Sequence, residues 1–388
     1  LMAAEVNATT IAGKELTLSE ALVNELGGAL RGDLLLPGNA AYEEARLVLN
    51  PLIDRHPALI VQPSGEADVS LAVQFAQQHQ LSTAIKCGGH SAAGKSTVEG
   101  GLMIDLSRFK HVRVDPKQRI AHVSGGSLLG AMDHESLAHG LVTTAGTVSH
   151  TGVGGLATGG GFGRLGRKYG LTLDNIHAVN VVSADGVLRH ASAMENEDLY
   201  WAVKGGGSNF GVVTGFEFNL HPMGRNILTG SFMYPFSRVR DVLEFYAEYA
   251  SNVPDEMNVD LILGFPKGNP NGFVLLSCSW CGDESSGHKA LAPIDKLGKP
   301  LRKIVQLKDY EALQRSNDND APRATASYLK GGFLSEITPG VIDDIVDGME
   351  PGPDRSAQMI FQHAGGAIGR VAADATAFPH RYANFNMM

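Results

Sequence analysis

Apolar positions along the chain come in two rhythms. Ala58-Leu59-Ile60-Val61, Thr83-Ala84-Ile85-Lys86 and Leu102-Met103-Ile104-Asp105 are short runs that read as buried strands. Between the first two, Val69, Leu71, Val73, Phe75 and Ala76 give an apolar face and predict a helix over 67–80. Upstream, Thr17-Leu18-Ser19-Glu20 reads as a capping box opening a helix through Leu26, loosened by Gly27-Gly28, and a second helix is predicted over 42–49, stopped by Pro51. Strands over 111–114 and 119–123 flank the turn Asp115-Pro116-Lys117-Gln118, and Ser127 is expected to cap a helix to Leu137. Asp185-Gly186 between 179–184 and 187–190 is a strong hairpin signal. A helix over 197–203 and a strand over 212–220 complete this part at Pro222. From about Gly224 glycine clusters become rare, and strands alternate with amphipathic helices such as 239–250 and 341–349. Two domains are expected, a ligand-holding half over 1–222 and a second half over 223–388.

Composition changes this picture at one place. Glycine makes up 47 of 388 residues, and seven of them stand within the twelve residues from Gly152 to Gly163. An interior glycine costs a helix or strand about 0.5–1 kcal/mol relative to alanine, so such a run implies backbone that must approach a ligand closely. Its N–H groups can then converge on an anion such as a diphosphate. Gly152-Val153-Gly154-Gly155-Leu156-Ala157 matches a dinucleotide-binding fingerprint, with Asp174 about twenty residues beyond. The match is rejected on context: Thr147-Val148-Ser149-His150-Thr151 is mostly polar where a strand is needed, and 158–163 holds too much glycine for a helix.

A formal charge of −9 argues against a nucleic-acid surface. Three cysteines, Cys87, Cys278 and Cys281, are too few for a disulfide scaffold and point to a reducing compartment. Cys278-Ser279-Trp280-Cys281 has redox spacing but follows the strand-like Phe273-Val274-Leu275-Leu276, with no helix start behind it to lower a thiol pKa, so it reads as structural. Neither a signal peptide nor a membrane-length apolar stretch is seen, and a soluble, cytoplasmic protein is expected.

Gly88-Gly89-His90 follows a predicted strand, which exposes an imidazole able to serve as base, metal ligand or nucleophile. In order, the chain carries Lys86-Cys87-Gly88-Gly89-His90-Ser91, Thr151 through the glycine run to Gly163, Arg167-Lys168-Tyr169-Gly170-Leu171, Asp174-Asn175, and Trp201-Ala202-Val203-Lys204-Gly205-Gly206-Gly207-Ser208-Asn209-Phe210-Gly211-Val212-Val213-Thr214. Together these resemble the FAD-linked oxidases of the vanillyl-alcohol oxidase superfamily, in the berberine bridge enzyme and 6-hydroxynicotine oxidase branch.

The resemblance implies an α+β fold: a two-subdomain FAD-binding (PCMH-type) domain followed by a substrate domain with an antiparallel sheet covered by helices. It implies FAD held covalently through His90, by one bond only, because Val148 stands where bicovalent members have a cysteine. Cofactor contacts are implied at Cys87, Gly88, Gly89, His90, Ser91, Thr151, Gly152, Gly154, Gly155, Gly160, Gly161, Asp174, Asn175 and Val213, with Asp174 and Asn175 toward the adenosine and Thr151 at the oxygen gate. No metal site is expected. The implied reaction takes hydride from a small organic alcohol, amine or sugar to flavin N5 and reduces oxygen to hydrogen peroxide. Tyr328 and His363, with His380 beside them, are the candidates for the base. Ala377-Phe378-Pro379-His380-Arg381 resembles a late substrate-domain motif, after which the family's chains run on to return to the FAD domain, whereas this sequence ends at Met388. A dehydrogenase with another acceptor, a non-covalent reductase and an inactive flavin- or ligand-binding protein are the alternatives.

Overall fold

The computed structural model describes residues 5–319, 326–350 and 356–388. Leu59–Gln62, Leu102–Asp105 and Thr83–Lys86 form a parallel set in a four-stranded sheet, and Asp33–Leu35 adds an antiparallel edge. Their apolar runs are unbroken because both faces are covered. Leu59, Val61, Leu102 and Ile104 pack with Val23, Leu26, Val69 and Ala72 of the helices Glu20–Ala29 and Glu66–Gln78. Ile60 and Met103 face Tyr42 and Ala45 on the other side. Two predicted boundaries shift. Ser19, not Thr17, caps the first helix, accepting from Leu22 N, and the helix runs through Gly27-Gly28 to Ala29. The helix Tyr42–Arg46 stops short of 49 because the chain turns away to bond the next layer, Leu49 N donating to Gly89 O at 2.8 Å.

A second sheet orders Leu188–Ser192, Ile176–Val182, Val212–Asn219, Ile120–Ser124 and Val112–Asp115, all antiparallel. The Asp185-Gly186 hairpin forms, with a wider loop than a two-residue turn: the Asp185 carboxylate accepts from Val187 N and Ser183 Oγ and so stabilises 183–187. The helix Leu129–Leu137 begins at Leu128 without a side-chain cap, since Ser127 Oγ donates instead to His111 O. The glycine run also departs from expectation: Val153–Gly159 is a helix. Val153 and Ala157 are fully buried, Gly154 lies close to Gly125 O, and the helix ends where Gly160 takes a φ of +148°. Burial at these contacts outweighs the poor intrinsic propensity.

The second half is built on a seven-stranded antiparallel sheet in the order Arg302–Asp309, Asn226–Pro235, Phe273–Trp280, Met257–Phe265, Ala357–His363, Phe385–Met387, Gly332–Leu334. The helices Val239–Asn252, Glu284–Leu291 and Pro339–Gly348 cover it through Val242, Leu243, Tyr246, Leu291, Ile342 and Ile345. Chain direction does not respect the two halves. Ala364, Ile368 and Phe378 pack into the core of the five-stranded sheet, and Trp201 Nε1 donates to Asp374 O at 2.7 Å. Cys278 and Cys281 are buried free thiols, both with raised pKa through burial, so Cys278-Ser279-Trp280-Cys281 is a packing element. Among the described residues no helix is long and apolar enough to cross a membrane.

Candidate active site

Between the two sheets of the first half lies a cavity of about 440 Å³. One wall is the loop that follows Thr83–Lys86. Gly89 is left-handed there, at φ +71°, which turns the chain sharply and presents His90 and Ser91 to the cavity. The opposite wall is 151–155. At the contact between them, a Cβ on Gly88 would fall on the backbone of Gly152, and a Cβ on Gly152 would fall on Gly88 N and the Cys87 side chain. These two glycines are therefore required by each other.

The start of the helix Leu129–Leu137 holds the second wall in place. Its first N–H groups have no partner within the helix, and Leu129 N donates to Thr151 O (2.9 Å) and Gly130 N to Ser149 O (2.8 Å). Val153 N in turn donates to Ser127 O (2.9 Å). From the second half, the Asp318 carboxylate accepts from Ser149 N (2.8 Å) and Ser149 Oγ (2.7 Å). The segment 149–151 is thereby fastened from two sides. It places His150 Nδ1 at 2.7 Å from His90 Nε2, with Thr151 Oγ1 at 3.4 Å from His90 Nδ1.

Of the residues implied by the sequence, Cys87, Gly88, Gly89, His90, Ser91, Thr151, Gly152, Gly154, Gly155 and Val213 line this one cavity. Burial pushes the Cys87 thiol up to about 11, so it is protonated at neutral pH. The others are not brought there. Gly160 and Gly161 end the helix Val153–Gly159, and a Cβ on Gly161 would strike Thr172. The Asp174 carboxylate accepts two bonds from Arg381, at 2.7 and 2.8 Å. Asn175 donates to Tyr169 O and Leu171 O, and its oxygen lies 2.6 Å from His221 Nε2. Both polar residues brace the fold rather than face the cavity.

Neither proposed base reaches it. His363 is buried, with Arg167 Nη1 donating to its Nε2 at 3.0 Å, and burial together with the Arg167 charge holds its pKa well below the usual histidine value. Tyr328 lies on the surface, 83% exposed. His380 stacks on Phe333 at 4.0 Å between ring centroids. Conversely, Ser96, Gly125, Leu156, Gly207, Ser208 and Gly211 line the cavity, joined by Ile85 and Leu106. The runs Gly125-Gly126 and Gly205-Gly206-Gly207 carried a signal for some of these, while Ser96 carried none.

A family model described as an FAD binding domain matches residues 57–192. An FAD-linked oxidoreductase of Dictyostelium discoideum is 32% identical over 372 residues, covering 95% of this chain and 80% of that protein. The chain belongs to the FAD-linked oxidoreductases. Among solved structures, BBE-like 1 of Physcomitrella patens superposes with a TM-score of 0.83 at 24% identity, covering 94% of this chain and 82% of that one. The glucooligosaccharide oxidase of Acremonium strictum, described with a 6-S-cysteinyl, 8α-N1-histidyl FAD, gives 0.81 at 25% identity, with 94% and 80% covered. The fold is the α+β, PCMH-type FAD-binding architecture, and the protein is an FAD-dependent enzyme. The cavity fits that cofactor on its own evidence. At Gly155 and Gly207 a Cβ would meet no protein atom within 4 Å, and the buried Ser96 Oγ has no partner among the described residues.

Proposed function

We propose that this chain is an oxidase that holds FAD by a single covalent bond to His90 and oxidises a small organic alcohol, amine or sugar at the expense of dioxygen. One observation carries the reading: the His90 imidazole lines the same cavity as the facing glycine walls around Gly88 and Gly152. Bound FAD supplies the hydride acceptor and the route of electrons to oxygen. The protein supplies the rest. Gly89 and Ser91 donate no backbone hydrogen bond among the described residues, so their N–H groups suit a diphosphate, and Gly155 lines the opposite wall. Ile85, Leu106 and Val213 give the cavity an apolar side suited to an adenine.

Two features favour a single bond. Val148 stands where a second, cysteinyl link would arise by register, and the cavity's own thiol, Cys87, is kept protonated by burial. Thr151 borders the cavity next to His90 and is no larger than a valine, which leaves room for oxygen. The test is an absorbance spectrum before and after acid precipitation, followed by peroxide release on a panel of alcohols, amines and sugars. A yellow pellet and peroxide are expected. Colour released to the supernatant defeats the tether. Reduced protein that survives minutes in air, yet reoxidises quickly with an artificial acceptor, makes it a dehydrogenase.

A further inference from the structure

We infer that the second half completes the flavin site by fixing how far apart the two cavity walls stand, and that Asp318 and Asn50 are the positioning residues through which it does so. The inference rests on FAD occupying this cavity and is independent of the tether and of the electron acceptor.

On the side of the glycine run, the helix Leu129–Leu137 takes up the carbonyls of Ser149 and Thr151 and leaves other polar groups of that loop to the second half. Ser149 N and Oγ both donate to the Asp318 carboxylate, at 2.8 and 2.7 Å. Gly146 O accepts from Gln314 Nε2 at 2.9 Å. Gly146 is buried, and a Cβ on it would strike the side chain of Leu156, which lines the cavity. Gln314 and Asp318 follow directly from the edge strand Arg302–Asp309 of the seven-stranded sheet. Asp309 starts the short helix Tyr310–Gln314 by accepting from Ala312 N at 3.0 Å. The position of that sheet edge is thus handed to the loop that carries Thr151.

On the side of the histidine loop, the connection runs through Asn50, which is 5% exposed. Its Nδ2 donates to Ala92 O at 3.1 Å, just beyond the cavity residues His90 and Ser91, and to Ser327 O of the second half at 2.9 Å. Its Oδ1 accepts from Ser327 N at 3.4 Å. One side-chain amide therefore pairs with both backbone groups of Ser327, as a neighbouring strand would, while it holds the loop.

The contact of Gly88 with Gly152 fixes the walls at one point. A second pair of fixed points, at Ala92 and Ser149, makes their separation determinate, and the second half holds both. A backbone group left unpaired away from water costs about as much as a lost hydrogen bond, so both walls are fully satisfied only when the halves are docked.

The experiment compares wild-type holoprotein with Asp318→Ala, Asp318→Asn, Asn50→Ala, Gly155→Val and Arg381→Leu. Total flavin per polypeptide is measured, together with melts followed by the visible circular dichroism of the flavin and by the far-ultraviolet signal of the backbone. Asp318→Ala should hold roughly three- to tenfold less flavin, as expected for the loss of one or two hydrogen bonds, and its visible signal should collapse before the backbone melts. Asn50→Ala should move the same way. Asp318→Asn should restore most of the loss, because its amide can accept from Ser149 N and donate to Ser149 Oγ. Arg381→Leu breaks the interface away from the walls, so its two melts should fall together with the visible signal otherwise unchanged. Wild-type flavin content and coincident melts in Asp318→Ala overturn the inference, as does an Arg381→Leu protein that changes the visible signal equally. If Asp318→Ala fails to fold, Ser149→Ala, which removes only the hydroxyl contact, carries the same comparison. Gly155→Val separates this inference from the reading beneath it, since a side chain there enters the cavity. Full flavin in Gly155→Val shows that FAD lies elsewhere, and both fall. Loss of flavin in Gly155→Val beside a wild-type result in Asp318→Ala leaves the cavity standing and sinks the clamps alone.

Discussion

The cavity and the interface between the two halves solve opposite problems. Around Gly88 and Gly152 the backbone segments touch because side chains are missing. At the interface the side chains are large and polar: Arg164, Arg167, Arg381, Asp133 and His363 are all buried. Burying each charge costs several kcal/mol, and specific partners must offset this. Arg381 makes its paired bonds to Asp174, Arg164 Nη1 donates to Gln314 Oε1 at 2.7 Å, and Gln314 Nε2 passes on to Gly146 O at 2.9 Å. The lesson is one of failure modes. The cavity breaks when atoms are added, and the interface breaks when a partner is removed.

The largest effect on flavin content is expected from adding atoms. Gly152→Val places a side chain where Gly88 N and the Cys87 side chain already sit, so the walls must part. Purified protein should hold roughly a tenth or less of the wild-type flavin, since overpacking of this kind costs about 1–3 kcal/mol or more at the binding surface. A Gly152→Val protein with full flavin content would show that the two walls are not mutually fitted.

Next comes removal of a partner. Arg381→Leu leaves Asp174, whose side chain is only 10% exposed, without its cation. Denaturant unfolding should show a loss of about 3–5 kcal/mol. Replacing both residues with apolar ones should recover a large part of it, which a purely steric role for Arg381 does not predict.

The smallest effect is a titration. His363 has a folded-state pKa well below its ordinary 6.5, so below that pH the unfolded chain binds a proton that the folded one does not. Stability from this group is thus complete at pH 8 and falls as pH drops through about 6.5, by up to about 1.4 kcal/mol per pH unit. Denaturant midpoints at pH 8 and pH 5 measure the slope, and His363→Gln should flatten it.

How much was legible differs by region for the same reason. The apolar runs at 58–61, 83–86 and 102–105, the helix Glu197–Val203 and the strand Val212–Asn219 are local patterns, and each forms close to where the spacing puts it. The glycines announced close approach but not their partners: Gly88 and Gly152 are distant in sequence, and only the fold shows that they meet. The helix Val153–Gly159 was missed because propensity argues against it, while burial of Val153 and Ala157 supplies what propensity lacks. Asp174 and His363 looked functional because they are polar residues within suggestive motifs. Their roles as buried partners of Arg381 and Arg167 depend on chain crossings that no local pattern records.

What the sequence determined alone was therefore the inventory of short-range order: strands, helices, a glycine-rich wall and an imidazole raised on two glycines, each written in neighbouring residues. What only the tertiary structure decided was pairing. His150 reaches His90, Asp318 secures Ser149, and Arg381 meets Asp174 because long-range packing brings them together. Hydrogen bonds and ion pairs act over a few ångströms of space, and separation along the chain does not enter.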